Sequence, residues 1–258
     1  MTHSSEYRRI LHKMGYYNYQ SGLIYRHLNQ EGGWDGHLER CRRFILKAVD
    51  YYAPSKISVL GSGWLMELPL AEIVERDIQV TLVDIVHPPE VIAQAGNLKN
   101  VELVEADISG GLISEVWLKS SKYSFLKKMK SLNDVIISEY KPEYDTGLII
   151  SLNILTQLES LPVDFLKQRS NVKDQEYLVF RKTIQEKHIE FLMKHQSVLI
   201  SDIAEISTDR LGNVNSVQTM VTNTPNGIFR EEWTWNFDSK SSDFYNSTSV
   251  MKVLAITI

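Results

Sequence analysis

Residues 56–84 read KISVLGSGWLMELPLAEIVERDIQVTLVD, and they combine two short apolar segments with a glycine-containing turn and a helical pattern. The first segment, at 57–60, runs directly into Gly61-Ser62-Gly63. A helix is expected at 65–75, and the second apolar segment follows at 80–84. A strand, a crossover helix and a second strand in this order predict two neighbouring parallel strands.

The same alternation continues along the rest of the chain. Helices are predicted at about 37–52, 89–95 and 174–195, and further strands at 101–107, 144–152, 197–202, 232–237 and 251–258. The last two strands leave no room for a helix between them, so they should pair antiparallel as an edge hairpin. We therefore predict an α/β protein with a doubly wound, mostly parallel sheet of about seven strands and a C-terminal antiparallel hairpin.

The region before the first strand is predicted to be a helical extension or lid. It covers residues 1–54, and it is crowded with aromatic side chains, among them Tyr16, Tyr17, Tyr19 and Trp34. Only Ala53-Pro54-Ser55 separates it from the first strand. Because no flexible linker intervenes, we expect the extension to pack over the carboxyl ends of the strands, with the sheet domain at 55–258.

Composition narrows the functional classes. The 258 residues are 43% hydrophobic and 23% charged, which is typical of a soluble globular protein. A net charge of -4 makes nucleic acid an unlikely partner and does not favour an anionic membrane. The single cysteine, Cys41, excludes an intramolecular disulfide and a cysteine-cluster zinc site, and no histidine has a metal-ligand spacing. With no signal-peptide core and no run of about 18 apolar residues, we expect a cytoplasmic protein with no metal and no membrane span.

The glycine turn and two aspartates after it mark a candidate ligand site. Gly61 can form a tight turn and Gly63 allows a close approach of backbone to ligand, but the third glycine of a dinucleotide fingerprint is replaced by Met66. Asp84 ends the second strand about 20 residues after the turn, where a carboxylate can accept from both ribose hydroxyls. Asp107 ends the third strand and could accept from an exocyclic amine. Either aspartate alone could equally cap a helix or a turn.

Taken together, these features resemble the class I S-adenosylmethionine-dependent methyltransferases over about residues 55–258. The resemblance implies a Rossmann-like methyltransferase domain with S-adenosylmethionine as its cofactor. In that family the glycine turn bounds the amino-acid part of the cofactor, the acid after the second strand holds the ribose, and the acid after the third contacts the adenine. The implied cofactor-binding residues here are Gly61, Ser62, Gly63, Asp84, Ile85, Asp107, Ile108 and Asn153.

The turn departs from the family pattern. Val59 stands where the family often has an acid, and Trp64 and Leu65 replace small residues. The methionine end of the cofactor would then be held differently. Glu67 could supply a polar contact there, or it could simply favour the first turn of a helix.

The end of the fourth strand is where the family's transferred methyl group lies. Asn153 and Gln157 follow this strand four residues apart, a spacing that could place both on one helical face, and they are the candidate catalytic or acceptor-positioning residues. A capping asparagine and a surface glutamine are the alternative reading. No Asn/Asp-Pro-Pro-Tyr/Phe motif is present, which disfavours amino-methylation of nucleic acids. The acceptor is therefore expected to be a small or medium-sized molecule.

Two other functions remain open at this point. A nicotinamide-dependent oxidoreductase would need the complete glycine fingerprint and a Tyr-x-x-x-Lys motif. Tyr123 and Lys127 match that spacing, but they lie in a lysine-rich segment before the fourth strand. A non-catalytic, methyltransferase-like binding protein would fit the altered glycine turn.

Overall fold

The computed structural model describes residues 3–124, 126–241 and 246–258. Its helices are α1 (Ser5–Met14), α2 (Tyr16–Asn29), α3 (Asp35–Tyr52), α4 (Leu70–Val74), α5 (Pro89–Ala95), α6 (Leu112–Ser120), α7 (Ser160–Lys167) and α8 (Asp174–Leu192). Its strands are β1 (Lys56–Leu60), β2 (Gln79–Asp84), β3 (Val101–Glu105), β4 (Leu148–Leu152), β5 (Ser197–Thr208), β6 (Val214–Gln218), β7 (Phe229–Asp238) and β8 (Thr248–Thr257). No helix in the described ranges is both long enough and apolar enough to cross a membrane.

The strands form one sheet in the order β3-β2-β1-β4-β5-β8-β7. The five strands from β3 to β5 are parallel, whereas β8 runs antiparallel to both β5 and β7. The predicted fold class, a mostly parallel sheet ending in a C-terminal antiparallel hairpin, is thus confirmed. The order reverses direction between β1 and β4, and ligands of open α/β sheets bind at such a switch point.

The prediction of about seven strands missed β6. The fifth strand does not end at residue 202 but continues to Thr208, and its outer half pairs with β6. All five residues of β6, which read VNSVQ, are exposed. A strand with two solvated faces has no buried side, so its sequence lacks the apolar pattern by which strands are recognised.

The predicted helix at 65–75 was also too long. Leu65 adopts a left-handed conformation (φ 61°), and only residues 70–74 are helical. Pro69 directly precedes this helix, and a proline inside a helix removes a backbone donor and clashes with the preceding turn. Helices α6 and α7 were not predicted.

Apolar side chains cover the sheet on both faces. In β4, Ile149 belongs to the core cluster on one face and Ile150 to the cluster on the other. Helix α3 packs on the second face, where Cys41, Ile45 and Ala48 are fully buried at three- and four-residue spacing. This packing fixes α3 against the sheet. Helix α2, by contrast, has no buried residue.

Candidate functional site

A cavity lies at the carboxyl ends of β1, β2 and β4, beneath α2. Its volume is about 100 Å³, whereas ligand pockets usually have volumes of roughly 300–1,000 Å³. The side chains and backbone that line it come mainly from α2, the glycine turn, the strand ends and the segment after β4: Tyr16, Tyr19, Gln20, Leu23, Trp34, Gly61, Gly63, Trp64, Met66, Glu67, Asp84, Ile85, Leu152, Asn153, Ile154, Gln157, Ser160, Leu161 and Trp235. Five of the eight predicted cofactor-binding residues therefore border this cavity, namely Gly61, Gly63, Asp84, Ile85 and Asn153.

The glycine turn has no space for a side chain at its first glycine. Gly61 has φ 77°, and a Cβ there would lie 2.7 Å from Ile154 Cβ and 2.9 Å from the Leu152 carbonyl oxygen. Gly63 also has a positive φ, of 50°. Between them, Ser62 is buried, and its hydroxyl has no hydrogen-bond partner among the described residues.

Asp84 ends β2 and faces the glycine turn. Its Oδ2 accepts a hydrogen bond of 2.8 Å from Gly63 N, and its Oδ1 accepts one of 2.7 Å from Ile85 N. The residue is only 4% exposed, so it does not stand in an open cleft. Burial raises the pKa of Asp84 above its ordinary value, although the surrounding N–H groups oppose the shift.

Asp107 lies two residues beyond β3 and holds the turn that leads into α6. Its Oδ1 accepts from the backbone N and the hydroxyl of Ser109, and its Oδ2 accepts from Ile113 N at 3.2 Å. Burial raises the pKa of Asp107. Asp107 and the buried Ile108 do not border the cavity described above. In this structure Asp107 therefore caps the turn before α6, as the alternative interpretation of this residue expects.

Asn153 and Gln157 border the cavity, but they do not share a helical face. Asn153 has φ 49°, and the chain from 153 to 159 forms turns before α7 begins. Gln157 Nε2 donates to the carbonyl oxygen of Asn153 at 2.6 Å, and the Asn153 backbone N–H donates to Ile200 O at 2.8 Å. The Oδ1 of Asn153 is buried without a hydrogen-bond partner among the described residues.

A polar cluster that sequence reasoning missed lies directly behind Asn153. Its centre is His37 of α3, which is 2% exposed. Trp233 Nε1 donates to His37 Nδ1 at 3.1 Å, and the Trp235 ring stacks on the imidazole at 3.9 Å between centroids. On the cavity side, His37 Nε2 lies 3.8 Å from Glu67 Oε1. The residues of this cluster come from three distant parts of the chain, around positions 37, 67 and 233–235, so no local sequence motif predicts it.

The N-terminal helices reach the same strand ends. Gln20 Nε2 of α2 donates to Asp84 Oδ1 at 3.3 Å, and Tyr7 OH of α1 donates to Asp107 Oδ2 at 3.4 Å. His3 Nε2 lies 2.9 Å from the Ile85 carbonyl oxygen. The two aspartates that the resemblance implies as cofactor ligands, Asp84 and Asp107, are thus each contacted by a side chain of the N-terminal helices.

The oxidoreductase motif does not reach the cavity. Lys127 Nζ lies 5.9 Å from the centre of the Tyr123 ring, in the segment after α6. Neither residue is among the described residues that line the cavity, and residue 125 between them lies outside the described part of the chain.

No protein-family model matches the sequence, and no curated protein matches it. Among solved structures, the chain is similar to 1,6-didemethyltoxoflavin-N1-methyltransferase from Burkholderia thailandensis, solved with bound 1,6-didemethyltoxoflavin and S-adenosylhomocysteine (TM-score 0.44, 12% identity, 100% of this chain and 92% of that chain). It is also similar to the N-methyltransferase NodS from Bradyrhizobium japonicum in complex with S-adenosylhomocysteine (TM-score 0.40, 12% identity, 84% and 86%). A third is a DhpI–SAH complex (TM-score 0.36, 12% identity, 92% and 94%).

Proposed function

We propose that the protein is an S-adenosylmethionine-dependent methyltransferase that acts on a small or medium-sized acceptor. The observation that supports this most directly is the contact of 2.8 Å between Gly63 N and Asp84 Oδ2. It brings the glycine turn after β1 and the acid at the end of β2 together in one cavity. In an open α/β sheet, this is the arrangement that binds an adenosine-containing ligand.

The residues around the cavity fit such a cofactor. At Gly63 a Cβ would have only the Gly61 carbonyl oxygen within 4 Å, at 3.9 Å, so the backbone there is open to a ligand. Two buried polar atoms near the turn have no partner among the described residues, namely Ser62 Oγ and Asn153 Oδ1. Unpartnered buried polar atoms are uncommon in folded proteins, and a polar ligand would satisfy them.

On this proposal, Asp84 would hold the ribose, and the turn at 61–63 would hold the methionine end together with Asn153. Ile85, Asp107 and Ile108 would lie around the adenine. S-adenosylmethionine supplies a methyl group on a positively charged sulfur, so the protein needs mainly to align the acceptor and to exclude water. Asn153 and Gln157, at the end of β4, are the proposed positioning residues.

We also propose that α1 and α2 are the lid of this site. At about 100 Å³ the cavity is too small for a nucleoside-sized ligand, and α2 covers it. Helix α2 buries no residue, and it lies between Gly15 (φ 91°) and Gly32 (φ 83°). Displacing α2 would enlarge the cavity and free Asp84 from Gln20 at the same time.

A thermal-shift comparison of S-adenosylhomocysteine with NADH tests the proposal. S-adenosylhomocysteine should raise the melting temperature, because a ligand that binds only the native state stabilises it by about 2.7 kcal/mol at a hundredfold excess over Kd. NADH should give no shift. A shift with NADH alone would support the oxidoreductase, and a shift with neither would contradict the proposed cofactor.

A further inference from the structure

The cavity has an uneven charge distribution. Two carboxylates, those of Glu67 and Asp84, are among its described lining residues, and none of those residues is Lys, Arg or His. Asp84 is the proposed ribose ligand and already accepts two backbone N–H groups. Glu67 is therefore the acid with no assigned partner in the cofactor.

Glu67 is held in place as an anion. Its side chain is 14% exposed, and its Oε1 lies 3.8 Å from His37 Nε2 and 3.4 Å from Asn153 Nδ2. Burial alone would raise the pKa of Glu67, but the contacts with His37 and Asn153 outweigh it and leave the pKa below its ordinary value. A carboxylate in this state accepts hydrogen bonds and attracts positive charge.

The orientation of His37 follows from its partner on the far side. Trp233 Nε1, an indole N–H that can only donate, lies 3.1 Å from His37 Nδ1. His37 Nε2 is then the nitrogen on the cavity side, 3.8 Å from Glu67 Oε1 and 3.3 Å from Asn153 Nδ2. Stacking by Trp235, at an interplanar angle of 6°, fixes the plane of the imidazole. This arrangement keeps Glu67 beside Asn153.

The remaining walls of the cavity are largely aromatic. Trp34, Trp64 and Trp235 line it together with Tyr16 and Tyr19 of α2. Aromatic faces favour flat apolar ligands by stacking and cationic ligands through the ring quadrupole. Both preferences oppose a flexible anion.

From the Glu67 carboxylate, the aromatic walls and the absence of a cation among the described lining residues, we propose that the methyl acceptor is an amine with an aromatic body, and that Glu67 binds its nitrogen. The inference rests on the proposed methyltransferase function. An amine that binds as its ammonium form first gives one proton to water; the lone pair of the neutral nitrogen then forms the new N–CH3 bond, and the electrons of the broken C–S bond remain on sulfur. The positive charge moves to nitrogen, beside Glu67, and the nitrogen then loses its proton to water.

Calorimetric titration can test this with two probes that share a ring and differ in charge, tryptamine and indole-3-acetate. S-adenosylhomocysteine is titrated first, and each probe is then added to the saturated protein. We expect tryptamine to bind at least about tenfold more tightly than indole-3-acetate. Glu67→Gln should weaken tryptamine binding by about 10- to 100-fold, because it removes a charge-assisted hydrogen bond. It should leave S-adenosylhomocysteine affinity within about twofold.

Glu72→Gln is the matched control, since Glu72 is an exposed acid on the neighbouring helix α4 and should change neither affinity. Equal binding of the two probes, or no tryptamine binding to the saturated protein, would overturn the amine assignment without any variant. Loss of S-adenosylhomocysteine affinity in Glu67→Gln with tryptamine affinity unchanged would show that Glu67 contacts the cofactor. A wild-type protein that binds tryptamine but not S-adenosylhomocysteine would overturn the proposed function and leave only an amine-binding site.

Discussion

Replacing Asp84 should lower cofactor affinity and the stability of the free protein together. In the free protein the carboxylate accepts from the N–H groups of Gly63 and Ile85 at a site that is 4% exposed. Asp84→Ala removes both bonds, each of which is worth roughly 1.5–3 kcal/mol when charge-assisted. Because water can refill part of the space, we expect the free energy of unfolding to fall by about 2–4 kcal/mol. Asp84→Asn keeps one acceptor oxygen and should lose about half as much.

The same carboxylate would hold the ribose, so the affinity for S-adenosylhomocysteine should also fall by about 2–4 kcal/mol in Asp84→Ala, or roughly 30- to 1000-fold. Urea melts of the free proteins and calorimetric titrations at a temperature where each variant is folded measure the two effects separately. Asp77→Asn is the control, because Asp77 is exposed and its left-handed backbone suits asparagine. An unchanged affinity in folded Asp84→Asn would refute the cofactor assignment. An unchanged stability in Asp84→Ala would refute the buried hydrogen bonds.

Three further variants test the site and a buried acid elsewhere in the fold. Gly61→Ala should lower the unfolding free energy by about 2 kcal/mol or more, and with it the melting temperature, because its Cβ would meet Ile154 at 2.7 Å. The control is Gly22→Ala at an exposed position in α2, which should be neutral or stabilising. Burial raises the pKa of Glu159 to about 7 from 4.5, so protonation favours the folded state and the unfolding free energy should fall as the pH rises between these values. Urea melts at several pH values should show that Glu159→Gln removes this slope, and a persisting slope would assign it to another group. Gln20→Ala removes the hydrogen bond to the acid that ends β2 and should raise S-adenosylhomocysteine affinity by about 2- to 10-fold in calorimetry, whereas a decrease would make this glutamine a cofactor ligand.

The part of the site that the sequence predicted is the part fixed by strand ends. Gly61 and Asp84 are 23 positions apart in the chain, but parallel neighbouring strands end at the same edge of a sheet, so their meeting follows from the strand pattern alone. The apolar periodicity likewise predicted α3, because one face of this helix packs on the sheet.

The rest of the site depends on long-range contacts. Trp233 reaches His37 across 196 positions, and its single N–H donates to the imidazole. A sequence pattern does not encode which side chains meet across such a distance. The contact from Gln20 to Asp84 cannot be read from the sequence for the same reason, and Asp84 is only 4% exposed.

The position of β8 between β5 and β7 has a consequence for synthesis on the ribosome. The only strand partner of β7 within the described ranges is β8, which is made after it. At about 5–20 residues per second, the chain from Asp238 to Thr257 takes roughly 1–4 s to appear. During that interval the strand that carries Trp233 and Trp235 has no partner strand to pair with, although all five parallel strands have already been synthesised. The nascent chain therefore exposes its own cavity wall, and sheet completion, imidazole orientation and formation of the cavity all wait for the same last strand.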